Sequence, residues 1–106
     1  MKSGVSAIFC MNDTLAAGAI DYMHDHQINV PEDVSIVGFD NIASSASLYP
    51  KLTTVALPLH EIGREAANLA IKTFFTPKAQ PENQNLSIPC SIVYRNSVAL
   101  RRSNGS

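Results

Sequence analysis

Two pairs of short polar side chains, Asn12-Asp13 and Asp40-Asn41, each follow an apolar, strand-like run of the sequence. Asparagine offers a hydrogen-bond donor and an acceptor, whereas an ionised aspartate offers acceptors only. Together these groups suit neighbouring hydroxyls, as on a sugar or a nucleoside. Both residue types also cap helices and form turns. Either Asn12 or Asp13 can cap the helix that starts near Thr14; we favour capping for Asp13 and a ligand contact for Asp40.

The run Val34–Gly38 is the element that must position Asp40. Its apolar, β-branched front is typical of a buried strand. A buried parallel strand delivers the residues after it to the carboxyl edge of the sheet, where open α/β sheets bind ligands. If the strand Ser6–Met11 is a parallel neighbour, Asn12 reaches the same edge as Asp40.

The remaining pattern predicts a strand, helix, strand, strand, helix, strand order. This alternation indicates an α/β fold with a mainly parallel sheet and flanking helices. The predicted elements after the first strand are a helix from near Thr14 to about Asp25, the strand Val34–Gly38, a short helical turn within Ala43–Tyr49, a strand over Leu52–Leu57, a helix over Leu59–Phe75 and a strand over Ser87–Tyr94.

Composition excludes several classes of function for this segment. A formal net charge of −1 over 106 residues gives no electrostatic basis for binding nucleic acid. No apolar run approaches the roughly 20 residues that a membrane helix needs, and the first residues do not resemble a signal peptide. Cys10 and Cys90 lie in apolar runs, which favours reduced core thiols in a cytoplasmic protein over a disulfide or a reactive thiol.

Neither metal nor catalytic chemistry has a supporting motif. His24 and His26 are two residues apart on a predicted helix, so they do not share a face, and no third ligand is spaced to help them. The chain has no phosphate-binding glycine run and no acid and base pair with a recognisable spacing. We therefore predict no cofactor, no metal and no enzymatic activity.

Four motifs together resemble LacI/GalR-type transcriptional regulators, in the C-terminal part of their effector-binding region. Periplasmic sugar-binding proteins share the first two motifs, whereas the last two favour the regulators. The motifs are Ala7–Asp13 with Ala16–Ala19, Val30–Asp40, Leu52–Val55, and Arg95–Ala99.

The resemblance implies a type I periplasmic-binding-protein fold, in which effector binds between two α/β lobes. By position, Asn12 and Asp40 are then effector contacts from the C-terminal lobe. Leu57 stands where many members that bind sugars or purines have a glutamine, which indicates a different or more apolar effector. The family's dimer face implies Ala17, Ile20 and Leu48 as interface residues.

The resemblance also implies a division of residues 1–100. Residues 1–57 and 87–98 correspond to an incomplete C-terminal lobe, and residues 58–76 to a helix of the N-terminal lobe. We expect residues 101–106 to form a flexible tail. A bare sheet face predicts a homodimer or an oligomer that exchanges strands or helices. Operator DNA is expected as a partner only through a DNA-binding domain outside this segment, and no membrane partner is expected.

The main prediction is therefore the effector-sensing and dimerisation part of a LacI-type repressor. Its effector is expected to be a small molecule, a sugar or a nucleoside. One alternative is a fragment of a periplasmic sugar-binding protein, which an upstream export signal would support. The other is a small Rossmann-like enzyme, but the turn from Cys10 to Leu15 has none of the glycines that such a site requires.

Overall fold

The computed structural model describes residues 4–75 and 85–101, and these form four strands, two α-helices and one 3-10 helix. The predicted helix Leu59–Phe75 is confirmed at both ends, whereas each predicted strand differs at its bounds. In chain order the elements are β1 (Ala7–Phe9), α1 (Asp13–Asp25), β2 (Ser35–Asp40), the 3-10 helix Ala43–Ser47, β3 (Thr53–Ala56), α2 (Leu59–Phe75) and β4 (Ser91–Val93).

The four strands form one sheet in the order β1-β2-β3-β4. The first three strands are parallel, and β4 runs antiparallel to β3. The predicted α/β class with a mainly parallel sheet is therefore confirmed. β4 begins at Ser91 rather than at Ser87, in keeping with Pro89, which has no N–H to donate to a ladder.

Helix α1 covers one face of the sheet with a stripe of apolar residues. Ala16, Ile20 and Met23 recur at helical spacing and pack with Ile36 and Leu52 in the buried core. Ile20 is only 2% exposed. The resemblance implied Ile20 as a dimer-interface residue, but its side chain is part of the core of α1 and the sheet and offers little surface to a second copy.

The opposite face of the sheet carries a second set of apolar side chains, which we call the open face. In β2, Val37 and Phe39 alternate with the core residues, and their partners in register are Phe9 and Val55. Ile92 of β4 pairs with Val55 and extends the face. Phe9 is 66% exposed and Ile92 is 53% exposed.

The chain divides into two compact units. One comprises Met1–Ala56 with Ser91–Ser106, and the other comprises Leu57–Cys90. The sheet and α1 belong to the first unit. In the second unit, α2 has a predicted apolar stripe, but none of its residues is buried.

A serine after β4 joins the beginnings of β2 and β3. The Ser97 hydroxyl donates to the Ile36 carbonyl (2.5 Å) and accepts from the Thr53 N–H (2.9 Å). The Ile36 N–H in turn donates to the Ser97 carbonyl (2.9 Å). Ser97 is fully buried, so a residue noted only as part of a family motif has a structural role in closing this end of the sheet.

Gly38 and Gly18 provide a matched test of this packing. A Cβ at Gly38 would overlap the Asp13 carboxylate and lie 2.8 Å from Leu52 Cδ2, whereas a Cβ at Gly18 meets nothing within 4 Å. We expect Gly38→Ala to lower the free energy of unfolding by about 1–3 kcal/mol through overpacking. Gly18→Ala should raise it by about 0.5–1 kcal/mol, because alanine favours a helix. Urea unfolding of the two variants measures both changes in the free energy of unfolding. Equal changes in the two variants would contradict the packing described.

Candidate functional site

The pairing of β1 with β2 brings Asn12 and Asp40 to the same edge of the sheet. The register aligns Phe9 with Val37, and the Cys10 N–H donates to the Val37 carbonyl (2.8 Å) just beyond β1. Asn12 lies three residues beyond Phe9 and Asp40 three residues beyond Val37, so both lie toward the carboxyl ends of the two paired strands. The expectation that two neighbouring parallel strands deliver these polar residues to the carboxyl edge is confirmed.

Asn12 caps helix α1. Its backbone is extended, with φ −155°, and its side-chain Oδ1 accepts a hydrogen bond from the Leu15 N–H (2.8 Å). This bond fixes the side-chain oxygen toward the helix. Among the residues that the structure describes, none accepts a hydrogen bond from the Asn12 amide group. Asn12 is half-buried and so retains a donor for a ligand at this edge.

Of the two capping candidates, Asn12 is the cap and the favoured Asp13 is not, because Asp13 is the first residue of α1 and is 1% exposed. Its Oδ2 accepts from the Ile42 N–H (2.9 Å), and its Oδ1 accepts from the Thr54 hydroxyl (2.5 Å). The carboxylate therefore joins the start of α1 to the turn after β2 and to β3. Its partners are 29 and 41 residues away along the chain, so no local pattern could have revealed this role.

Asp40 ends β2 in an unusual backbone conformation. Its φ is 110°, and that of Asn41 is 57°. Residues other than glycine rarely adopt positive φ, and such strain concentrates where a side chain serves a function. Asp40 is half-buried, and within residues 4–75 and 85–101 no donor hydrogen-bonds to its carboxylate. The structure thus presents a carboxylate with free acceptor positions next to Asn12.

Arg95 fixes the turn that follows Asp40, a role that no local sequence pattern predicted. Its Nη2 donates to Asn41 Oδ1 (2.9 Å), and its Nη1 donates to the Ser45 hydroxyl (2.9 Å) and to the Leu52 carbonyl (2.8 Å). The Asn41 side-chain oxygen is therefore occupied by protein contacts. In this pair it is the Asp40 carboxylate that keeps free acceptor positions for a ligand.

The other residues predicted for an interface differ in exposure. Ala17 is half-buried on α1, and Leu48 is partly buried against the core. Both retain some accessible surface, unlike Ile20. Their contact with a second copy stays a prediction.

The cysteines and histidines do not form a reactive or metal-binding site in the part of the chain that the structure describes. No group of three or more His, Cys, Asp or Glu side chains there could hold a metal ion. Cys10 and Cys90 are free thiols. Cys90 is exposed, so its predicted core location is wrong; burial raises the pKa of Cys10, which disfavours a reactive thiolate. No helix within the described ranges is long and apolar enough to cross a membrane.

Comparison with known proteins assigns the chain to a family. Residues 2–98 match the family model described as a periplasmic binding protein-like domain. The chain is 40% identical over 96 residues to the HTH-type transcriptional regulator RegA of Clostridium acetobutylicum, covering 91% of this chain and 28% of that protein. It is 37% identical over 94 residues to the HTH-type transcriptional regulator GalR of Escherichia coli, covering 89% of this chain and 27% of that protein.

Solved structures give the same result. A LacI family transcriptional regulator from Enterococcus faecium with bound ribose shares 34% identity, with a TM-score of 0.79 over 94% of this chain and 37% of that one. A second, from Enterococcus faecalis and also with bound ribose, shares 32% identity, with a TM-score of 0.82 over 95% of this chain and 37% of that one.

The chain spans less than a third of the length of the curated relatives that it matches, 28% in the case of RegA and 27% in the case of GalR. Within that span the match includes Asn12, Asp40 and the motif around Ser97, all of which lie inside residues 2–98. The chain therefore belongs to the periplasmic binding protein-like domain family and to its LacI/GalR-type transcriptional regulators.

Proposed function

We propose that this chain is the effector-sensing and dimerisation part of a cytoplasmic LacI-type transcriptional repressor. Its ligand is a small molecule rich in hydroxyl groups, bound at the carboxyl edge of the sheet. The single observation that carries this proposal is the parallel pairing of β1 and β2, which brings Asn12 and Asp40 to one edge of the sheet, where the Asp40 carboxylate has a positive φ and no donor among the described residues.

The chemistry of this edge supports a sugar or nucleoside effector. An ionised carboxylate accepts hydrogen bonds from adjacent hydroxyls, and the Asn12 amide donates one to a hydroxyl or ring oxygen. Relatives support the same class, because two LacI family regulators at 34% and 32% identity contain ribose. A regulator at 28% identity, with a TM-score of 0.81, is described as a complex with cellobiose.

The proposed mechanism is a shift between two arrangements of two lobes. Asn12 and Asp40 form one wall of the binding cleft, and a second lobe forms the other wall. Ligand that bridges both walls favours one arrangement and so changes the affinity of an attached DNA-binding domain for its operator. Residues 58–76 are proposed to belong to that second lobe. No step of this mechanism requires catalysis.

Asp40→Ala tests the ligand contact. In the complete regulator, loss of the carboxylate should weaken binding of the effector by about 10-fold to 100-fold, since a hydrogen bond to a charged group contributes about 1.5–3 kcal/mol. Isothermal calorimetry with D-ribose and with cellobiose measures this, and fluorescence anisotropy of labelled operator DNA follows effector-dependent release.

Asp25→Ala is the matched control, because Asp25 is an exposed aspartate at the end of α1. Asp25→Ala should change neither the affinity for the effector nor the effector-dependent release of operator DNA. Wild-type affinity in Asp40→Ala, with a normal unfolding curve, would remove Asp40 from the binding site.

Self-association of the 106-residue chain is proposed to occur through the open face. This face carries apolar side chains, and the α-helix described in the same unit packs on the opposite side; the apolar residues are Phe9, Val37, Phe39, Val55 and Ile92. Exposed apolar surfaces of this kind mark association sites. β1 lies at the edge of the sheet, so a second copy can also approach its unpaired backbone groups.

Phe9→Lys tests this association. A charge on the open face should shift the chain from a dimer or larger species toward a monomer at micromolar concentration, because the lysine would be desolvated in the contact. Light scattering after size-exclusion chromatography gives the mass. Leu100→Lys is the control, since Leu100 is 96% exposed and lies outside the sheet. A wild-type chain that is monomeric would contradict the proposal, as would an equal effect of both variants.

A further inference from the structure

Arg95 is a half-buried cation whose hydrogen bonds all go to neutral groups. Its guanidinium donates to the Asn41 side-chain oxygen, the Ser45 hydroxyl and the Leu52 carbonyl, all within 2.8–2.9 Å. Its backbone N–H donates to the Thr53 hydroxyl (2.9 Å). In the part of the chain that the structure describes, no carboxylate pairs with it. The guanidinium therefore acts here as a hydrogen-bond donor to several groups and not as the partner of an ion pair.

The contact with Asn41 falls on the second of two strained residues. Asp40 and Asn41 have φ values of 110° and 57°, and this conformation persists only if the surrounding contacts enforce it. The Ile42 N–H donates to buried Asp13 (2.9 Å), and Arg95 donates to Asn41 Oδ1 (2.9 Å). These two contacts hold the C-terminal side of the turn, while the pairing of Asp40 with Ala56 of β3 holds its start.

We propose that Arg95 is the positioning residue that maintains the Asp40–Asn41 turn and thereby sets the affinity of the Asp40 carboxylate for its ligand. This inference rests on the proposed function, since it concerns the same edge of the sheet. It extends that function by assigning effector affinity to a residue that acts through Asn41 and does not contact the ligand.

The shape of the guanidinium explains why lysine is a poor substitute. Two separate nitrogens of Arg95 reach groups on three segments: Asn41 after β2, Ser45 in the 3-10 helix and Leu52 before β3. A lysine ammonium is compact and does not present this fixed fork. The Ser45 hydroxyl also donates to the Ile42 carbonyl (2.7 Å), so the arginine supports the turn directly and through Ser45.

The experiment compares Arg95→Ala and Arg95→Lys with Arg95→Ala carrying Asn41→Gly. Calorimetry with D-ribose and cellobiose on the complete regulator should show affinity reduced by about tenfold in both single variants, the order of magnitude expected when a strained turn is released. Glycine adopts positive φ without a steric penalty. Asn41→Gly should therefore restore most of the affinity lost in Arg95→Ala.

A second measurement, amide hydrogen exchange, reports on the stability of the Asp40–Asn41 turn. Hydrogen exchange of the Ile42 amide should become about tenfold faster in Arg95→Ala and slow again when Asn41→Gly is added. Exchange at Ile36, in the core of β2, should remain at the wild-type rate. Arg101→Ala is the control, because exposed Arg101 makes, among the residues that the structure describes, a single long contact, at 3.5 Å, with the Gly4 carbonyl.

The outcomes separate this proposal from the proposed function. Reduced affinity that Asn41→Gly does not restore would overturn the positioning role and indicate a direct ligand contact or a general loss of folding. Unchanged exchange at Ile42 in Arg95→Ala would overturn it as well. If the wild-type regulator binds neither sugar while exchange at Ile42 follows the expected pattern, the sugar class of the proposed function fails and the control of the turn by Arg95 is supported.

Discussion

The buried carboxylate of Asp13 is the interaction on which this structure depends. It receives one hydrogen bond from the backbone after β2 and one from the Thr54 hydroxyl of β3, at the point where α1 begins. Hydrogen bonds to a charged group contribute about 1.5–3 kcal/mol each, and leaving such a group unpaired in the core costs more. Gly38 provides the space for this carboxylate, because any side chain there would overlap it.

The candidate site follows from this single anchor. Asn12 precedes Asp13 in the chain, and Asp40 lies two residues before Ile42, whose N–H binds the same carboxylate. The two polar residues offered to a ligand are therefore held by a group that is itself 1% exposed. Asp13 therefore positions the site, whereas Asn12 and Asp40 are the residues proposed to bind the ligand. This arrangement leaves the Asp40 carboxylate free of internal donors among the described residues, as a ligand-binding group must be.

Local and periodic features of the sequence predicted much of this fold. The apolar stripes placed α2 correctly and located α1 to within one residue at its start, and two strand-like runs predicted the parallel pair that brings Asn12 and Asp40 to one edge of the sheet. The errors concern long-range contacts. Asp13 follows a strand and looks like a cap, but its partners come from β3 and from the turn after β2. Arg95 could not be assigned to Asn41, because 54 residues separate them in the chain.

A crystal structure of the complete regulator grown with D-ribose, or with its identified effector, is the most direct test of the central claim. We expect a hydroxyl of the ligand within about 2.5–3.0 Å of the Asp40 carboxylate and a second polar atom within about 2.7–3.2 Å of the Asn12 amide nitrogen. The Asp40–Asn41 turn should keep its positive φ angles. A ligand bound with both residues free of contact to it, or Asp40 turned away to bind protein, would contradict the account.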